Sequence, residues 1–131
     1  MENPVDILHS NLTTMRIAKE KLNQSLEKEI TAVFAQLLTD LKTPEEAHTF
    51  ISDFFSDTEL ILLTKRLAIS YWLAKKRNYE NIKMNLKVSS ATIAAVSEML
   101  TRPGFKLAIK KIEAEEWANK WAERIKNIVK K

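Results

Sequence analysis

One glycine in 131 residues constrains this chain more than any other feature. Gly104 stands alone, so phosphate-binding loops and dinucleotide fingerprints, which need several glycines close together, are excluded. Two-residue hairpins that rely on glycine at positive φ are disfavoured for the same reason. Pro4, Pro44 and Pro103 fall where helical periodicity pauses, as expected of residues that cannot continue a helix. The chain is therefore expected to be all-α, with about six helices. It has no cysteine, which removes disulfides, thiolate nucleophiles and sulfur ligands for zinc.

Length fits one domain, 1–131, with a real but modest core. No run of about 18 apolar residues exists to span a membrane. The opening "MENPVDILHSNL" is acidic and lacks the basic and long apolar regions of a signal peptide. The expectation is a cytoplasmic protein with no membrane partner. His9 and His48 lack the E-x-x-H or H-x-x-x-H companions that would suggest a metal site, so no metal is expected.

Leu8, Leu12, Met15, Leu22, Leu26, Ile30, Val33, Leu37 and Leu41 recur at helical spacing. They predict one long helix from about Leu12 to Leu41, roughly 45 Å long. A stripe of that length is expected to bury itself against a second copy of the chain, a long helix packed across its own domain being the alternative. In "KTPEEAHTF", Thr43 reads as an N-cap and Pro44 as the first residue of a short helix. "SDTE" (Ser56–Glu59) reads as a capping box opening a third helix through "LILLTKRLAISYWLAKKR". After Pro103-Gly104 a last helix runs from about Phe105 to Val129, with Trp117, Trp121, Ile125 and Ile128 along one side. The tryptophans are expected in the core or a dimer interface, a stacking platform for single strands being the alternative.

Charge is segregated. Residues 1–63 carry five bases and eleven acids, whereas residues 64–87 carry seven bases (Lys65, Arg66, Lys75, Lys76, Arg77, Lys83, Lys87) against Glu80 alone. Residues 102–131 are basic again, with nine bases and four acids. A cationic zone within a helical chain points to a polyanionic partner; the bland alternative is a lysine-rich solvent face.

That zone leads into "NYENIKMNLKVSSATIAAVSEML" (Asn78–Leu100). Ile82 and Leu86 lie one turn apart on a short helix. Val88 falls in the turn, and Ser89 or Ser90 caps a second helix whose buried face is Ile93, Val96 and Leu100. Ala91, Ala94 and Ala95 keep the crossing slim. Spacing, cap and turn length match a helix-turn-helix over 79–100, although an alanine-rich helical hairpin that merely fills a core has much the same pattern.

Several features in order carry a resemblance: the S-x-x-E helix start, the "KR" within the third helix, the Ile82/Leu86 pair, and "SSATI" opening the next helix. In these the stretch Phe54–Leu100 resembles the Trp repressor family. The resemblance implies an intertwined homodimer that binds double-stranded DNA and regulates transcription, with repression the expected sense. It implies an N-terminal extension at 1–20, dimerisation helices at 21–55, a core at 56–101 and a C-terminal helix at 104–131. Ser89, Ser90, Ala91, Thr92 and Ala94 would then lie near bases or phosphates, with Lys83 on the DNA backbone; the basic zone itself adds Lys76, Arg77 and Lys87 as candidate cations. The family's effector pocket holds an indole amino acid between two arginines. One matches Arg66, the nearby threonine position holds Ser56, and the second arginine position holds Ala95. With that carboxylate-binding partner missing, the chain is expected not to take L-tryptophan in the family's manner, and its effector is unknown. Lys87 stands where the family has glycine; at positive φ a side chain there costs about 1 kcal/mol.

No arginine, lysine, asparagine or glutamine lies on Ser90–Met99 to read a base bidentately. Hydroxyls, methyl contacts, water and DNA shape remain as readers. Lys75, Lys76, Arg77, Lys83 and Lys87 border the motif, and four phosphate contacts per half of a dimer would give a salt slope of roughly −7. Two rivals stand beside this reading. One is a helical protein–protein interaction module with no direct DNA binding. The other is an enzyme using Arg16, Lys28 and Arg66 on an anionic metabolite, against which stands the lack of any nucleophile–base pair. The chain is expected not to be an enzyme, and no cofactor is expected.

Overall fold

The computed structural model describes residues 21–129. The expected N-terminal extension (1–20), with His9 and Arg16, lies outside the described residues. Among the described residues there are six helices and no strand: α1 (Gln24–Asp40), α2 (Pro44–Phe54), α3 (Asp57–Ala74), α4 (Tyr79–Leu86), α5 (Ser90–Met99) and α6 (Pro103–Val129). The chain divides into two compact units, one up to residue 61 and one from residue 62 onward, with the boundary inside α3.

In the first unit the helix starts are set by side-chain caps. Asn23 accepts from the Ser25 amide at 2.8 Å, so α1 begins at Gln24. The continuous helix expected from Leu12 is thereby corrected: residues 21–23 are not helical, because a capped asparagine offers a better end than further helical turns. Thr43 caps α2 through the Glu46 amide (3.1 Å), with Pro44 first in the helix. Ser56 and Glu59 form the reciprocal capping box at 2.9 and 3.2 Å. These bonds hold the Glu59 carboxyl below its usual range, first through the Ser56 amide and then through its hydroxyl.

Phe34, Phe50, Phe54 and Phe55 make a ring cluster with centroids 4.8–6.2 Å apart. Yet neither α1 nor α2 contains a buried residue. Leu22, Leu26, Ile30, Val33, Leu37 and Leu38 are all exposed, so the apolar stripe of α1 is built but uncovered.

The second unit has the core. Ile69 of α3, Ile82 of α4, and Ile93 and Val96 of α5 are buried, and Trp72, Leu73, Leu86, Val88 and Phe105 pack round them. Three β-branched isoleucines with almost no exposure are each worth about 1.5–3 kcal/mol of burial. They tie the two helices of the hairpin to α3. The third helix, expected to end in Lys75, Lys76 and Arg77, stops at Ala74, and Lys76 just beyond it is left-handed (φ 65°). The Lys76 amide donates to the Leu73 carbonyl and the Arg77 amide to the Trp72 carbonyl, both at 3.0 Å. That is a Schellman stop, with lysine where glycine is usual.

α6 opens at Pro103, two residues before the expected start, since proline fits the first position of a helix. Tyr71 of α3 donates to Glu116 of α6, and Lys75 reaches the same carboxylate at 3.5 Å. Trp117, expected in the core or a dimer interface, is 64% exposed within the chain, and the Trp121 side chain lies outside the described part.

Candidate nucleic-acid interface

The hairpin of α4 and α5 is assembled from its caps inward. Asn78 accepts from the Asn81 amide at 2.8 Å and starts α4. α4 ends at Lys87, whose φ of 55° and ψ of 53° are left-handed. A non-glycine residue in that region costs about 1–2 kcal/mol; Lys65 of α3 offsets part of it by donating to the Lys87 carbonyl at 3.4 Å. Val88 is half-buried against the core. Ser89 then caps α5, accepting from the Thr92 amide at 3.1 Å. So of the two serines offered by the sequence, Ser89 is the cap.

α5 has two distinct faces. Ile93 and Val96 are buried, whereas Ser90, Ala91, Thr92, Ala94 and Ala95 are exposed. The outer side is thus a narrow strip of methyls and hydroxyls that no other part of the described chain covers. Ser89 and Thr92 bond each other through their hydroxyls at 2.9 Å, so only one of their two hydroxyl protons is free, and Ser89 also accepts from the Thr92 amide. Chemically the first two turns of the face offer small apolar contacts and weak acceptors and donors, and the exposed Glu98 adds a carboxylate on the same side in the last turn.

The flanking cations are not equivalent. Lys76, Lys83 and Lys87 are exposed. Arg77 lies over the Trp72 ring with 4.1 Å to its centroid and donates to Asn81 at 3.4 Å; it supplies the stacking contact across the Schellman stop. Lys75 is held by Glu116. In sequence the five border cations look alike, and the fold commits two of them to structure. No signal short of the fold itself pairs residue 71 or 75 with 116, since the Tyr71 bond spans 45 residues.

The three effector-pocket candidates have separate local settings. Ser56, in the first unit, is buried and spends its hydroxyl and amide on the capping box. In the second unit, Arg66 lines an apolar depression of about 290 Å³ with Leu63, Leu67, Ser70, Gly104, Phe105 and Ala108. Ala95 is exposed on α5 and is not part of that lining. Ser70 is closed off by its own bond to the Arg66 carbonyl at 2.7 Å. Among the described residues no group of histidine and acidic side chains could hold a metal ion, and no helix is long and apolar enough to cross a membrane.

The family model described as Trp repressor protein matches residues 28–113, about two thirds of the chain. The chain belongs to the Trp repressor family. No curated protein matches it. The Trp repressor match begins within α1, takes in the whole α4–α5 hairpin and stops at Glu113, part-way along α6. Both the left-handed Lys87 and the exposed strip of α5 therefore lie inside the family segment, and α6 beyond Glu113 lies outside it.

Proposed function

We propose that this protein is a DNA-binding transcriptional regulator, with repression the expected sense. It takes duplex DNA as a homodimer, with α5 of each copy entering a major groove. One observation carries the reading: the first two turns of the outer side of α5 are slim, uncharged and exposed, with Glu98 as the one charge further along, and the exposed Lys76, Lys83 and Lys87, which precede α5 in the chain, make no ion pair among the described residues. A helix that fills a core would have larger residues there or be covered. Cations set at the edges of a recognition helix neutralise phosphates, which supplies most of the affinity. Ser89, Ser90, Ala91, Thr92 and Ala94 would then meet base edges, thymine methyls and bridging waters. The Trp repressor itself is the known example of water-mediated reading, in which nearly all base contacts run through ordered water. Modest sequence discrimination follows for a face without bidentate readers. Arg77 plays a lesser part, as its guanidinium is stacked on Trp72.

The dimer is supported by the first unit. A soluble monomer rarely leaves a long contiguous apolar stripe in water, and five large aliphatic residues of α1, with Leu22 just before it, are exposed while none is buried. In this reading residues 1–131 act as one domain, 21–55 providing the dimer contact and 79–100 the reading head. Two-fold symmetry would set the heads about 34 Å apart on successive major grooves. Tryptophan is not the effector in the family's manner: Ala95 offers a methyl where a guanidinium would hold the carboxylate. The cell compartment of such a regulator is the cytoplasm, and no enzymatic step is assigned.

Selection of bound sequences from a random duplex pool tests this. A palindrome with half-sites about one helical turn apart is expected. Recovery of no enriched sequence, together with binding that ignores salt, would leave the interaction-module reading in its place.

A further inference from the structure

Glu98 is the one charged residue in 88–101, and α5 sets it on the outer side. At about 3.6 residues per turn it comes within roughly 20° of Ala91 round the helix, with Ala94 and Ala95 on either side of that line. All four are exposed, while Ile93 and Val96 are buried on the opposite side. Nothing in the fold accounts for an acid there. The Glu98 side chain makes no hydrogen bond or ion pair among the described residues, and Arg102, four residues on, is not joined to it. It stands in the last turn of α5, where the negative end of the helix dipole disfavours a carboxylate.

What such a group can do follows from its chemistry, on the reading of α5 as a groove-entering helix. An ionised carboxylate only accepts hydrogen bonds. Phosphates therefore repel it, and of the base edges in a major groove guanine offers it acceptors alone, thymine an acceptor and a methyl. Adenine sets an N7 acceptor beside its N6 donor, whereas cytosine presents the N4 amino group by itself. Glu98 lies about 10 Å along the axis from Ala91. That is about three base-pair steps of roughly 3.4 Å, so both residues fit a helix that follows the groove. We propose that Glu98 is a base-reading residue of α5, its carboxylate accepting from the N4 amino group of one cytosine in each half-site. On another base the carboxylate loses water without gaining a donor, so it weakens binding to unmatched DNA that the lysines alone would hold. One group thus favours one sequence and penalises the rest, and specificity is that difference of affinities.

The test puts the unmodified chain and Glu98→Gln separately through selection from a random duplex pool. The unmodified chain is expected to enrich a palindrome with a fixed cytosine in each half-site. In Glu98→Gln that position is expected to change to adenine, the base that glutamine contacts bidentately, with the rest of the site retained. The same base at every position for both proteins would overturn the proposal and leave the DNA reading standing. No enrichment with either protein would overturn it too, and if binding then also ignores salt, the DNA reading falls with it. A second readout separates base reading from a structural role. By fluorescence anisotropy, Glu98→Ala is expected to bind the selected duplex about tenfold or more weakly, within the range of one base contact. The same variant is expected to bind a duplex of unrelated sequence several-fold more tightly. A shift of both affinities in the same direction, or of neither, would refute the assignment.

Discussion

Replacing Lys87 with glycine separates the two roles that meet at this residue. The lysine is left-handed, at φ 55° and ψ 53°, a region that costs an L-residue about 1–2 kcal/mol. Glycine removes that cost but gains freedom in the unfolded chain, which takes back about 0.4–1 kcal/mol. The hydrogen bond from Lys65 goes to the backbone carbonyl of residue 87 and survives the change. Lys87→Gly is thus expected to stabilise the fold by about 0.5–1 kcal/mol, raising Tm by about 2–5 °C. DNA binding should move the other way. Each copy loses one cation, so the slope of log K against log salt for a dimer should become shallower by about 1.8. Lys87→Ala is the control, because it removes the charge and keeps the strained backbone: the slope should shift equally, without the gain in Tm. Thermal unfolding by circular dichroism and fluorescence anisotropy at several salt concentrations give both numbers. A Tm for Lys87→Gly no higher than for Lys87→Ala would refute the strain at this residue, and an unchanged slope in both would refute the phosphate contact.

Other consequences follow from the core and the α3–α6 contact. Ile93→Ala should cost about 2–5 kcal/mol in urea unfolding, because a fully buried isoleucine at the hairpin crossing leaves a cavity; a loss below about 1 kcal/mol would contradict that placement. The Tyr71 bond lowers the Glu116 carboxyl, and the Glu116 bond raises the Tyr71 phenol. Glu116 then contributes stability that is complete above the ordinary carboxylate range and lost as pH falls through its lowered value. Tyr71 contributes stability that is complete below the ordinary phenol range and lost as pH rises through its raised value. Tyr71→Phe should flatten both edges of the Tm-versus-pH curve, and an unchanged alkaline edge would count against the pairing. Calorimetry with L-tryptophan should show no saturable binding at micromolar concentration; clear saturation would overturn the inference from Ala95.

Much of the hairpin is legible in the sequence because its determinants are local. Ser56 and Glu59, Thr43 and Pro44, Ile82, Ile93 and Val96 announce caps and buried positions within one or two turns, and the left-handed residue after Leu86 is foreshadowed by the glycine that the family has there. The start of α1 is harder to place, because periodic leucines continue upstream of Asn23 and periodicity does not register a cap that ends the helix. The Schellman stop at Lys76 is concealed for the converse reason: glycine is the usual marker and lysine hides it. The Tyr71–Glu116 bond and the stacking of Arg77 on Trp72 are illegible for different reasons. The first joins residues far apart in sequence, and the second depends on the turn geometry that brings its two residues together. Both bear on the proposed interface: Lys75 is paired with Glu116 and Arg77 is stacked on Trp72, which leaves Lys76, Lys83 and Lys87 as the proposed phosphate contacts.

That reduction sets the most direct measurement. With Lys76, Lys83 and Lys87 contacting phosphates in each half of a dimer, the affinity for a duplex should fall with a log–log salt slope of roughly −5. The steeper value of roughly −7 would need a fourth cation per half, and Arg77 is stacked while Lys75 is paired. Lys83→Glu with Lys87→Glu should bring the slope towards about −2 or abolish binding. A slope near zero, or one that these two substitutions leave untouched, would contradict the reading of α5 as a groove-entering helix.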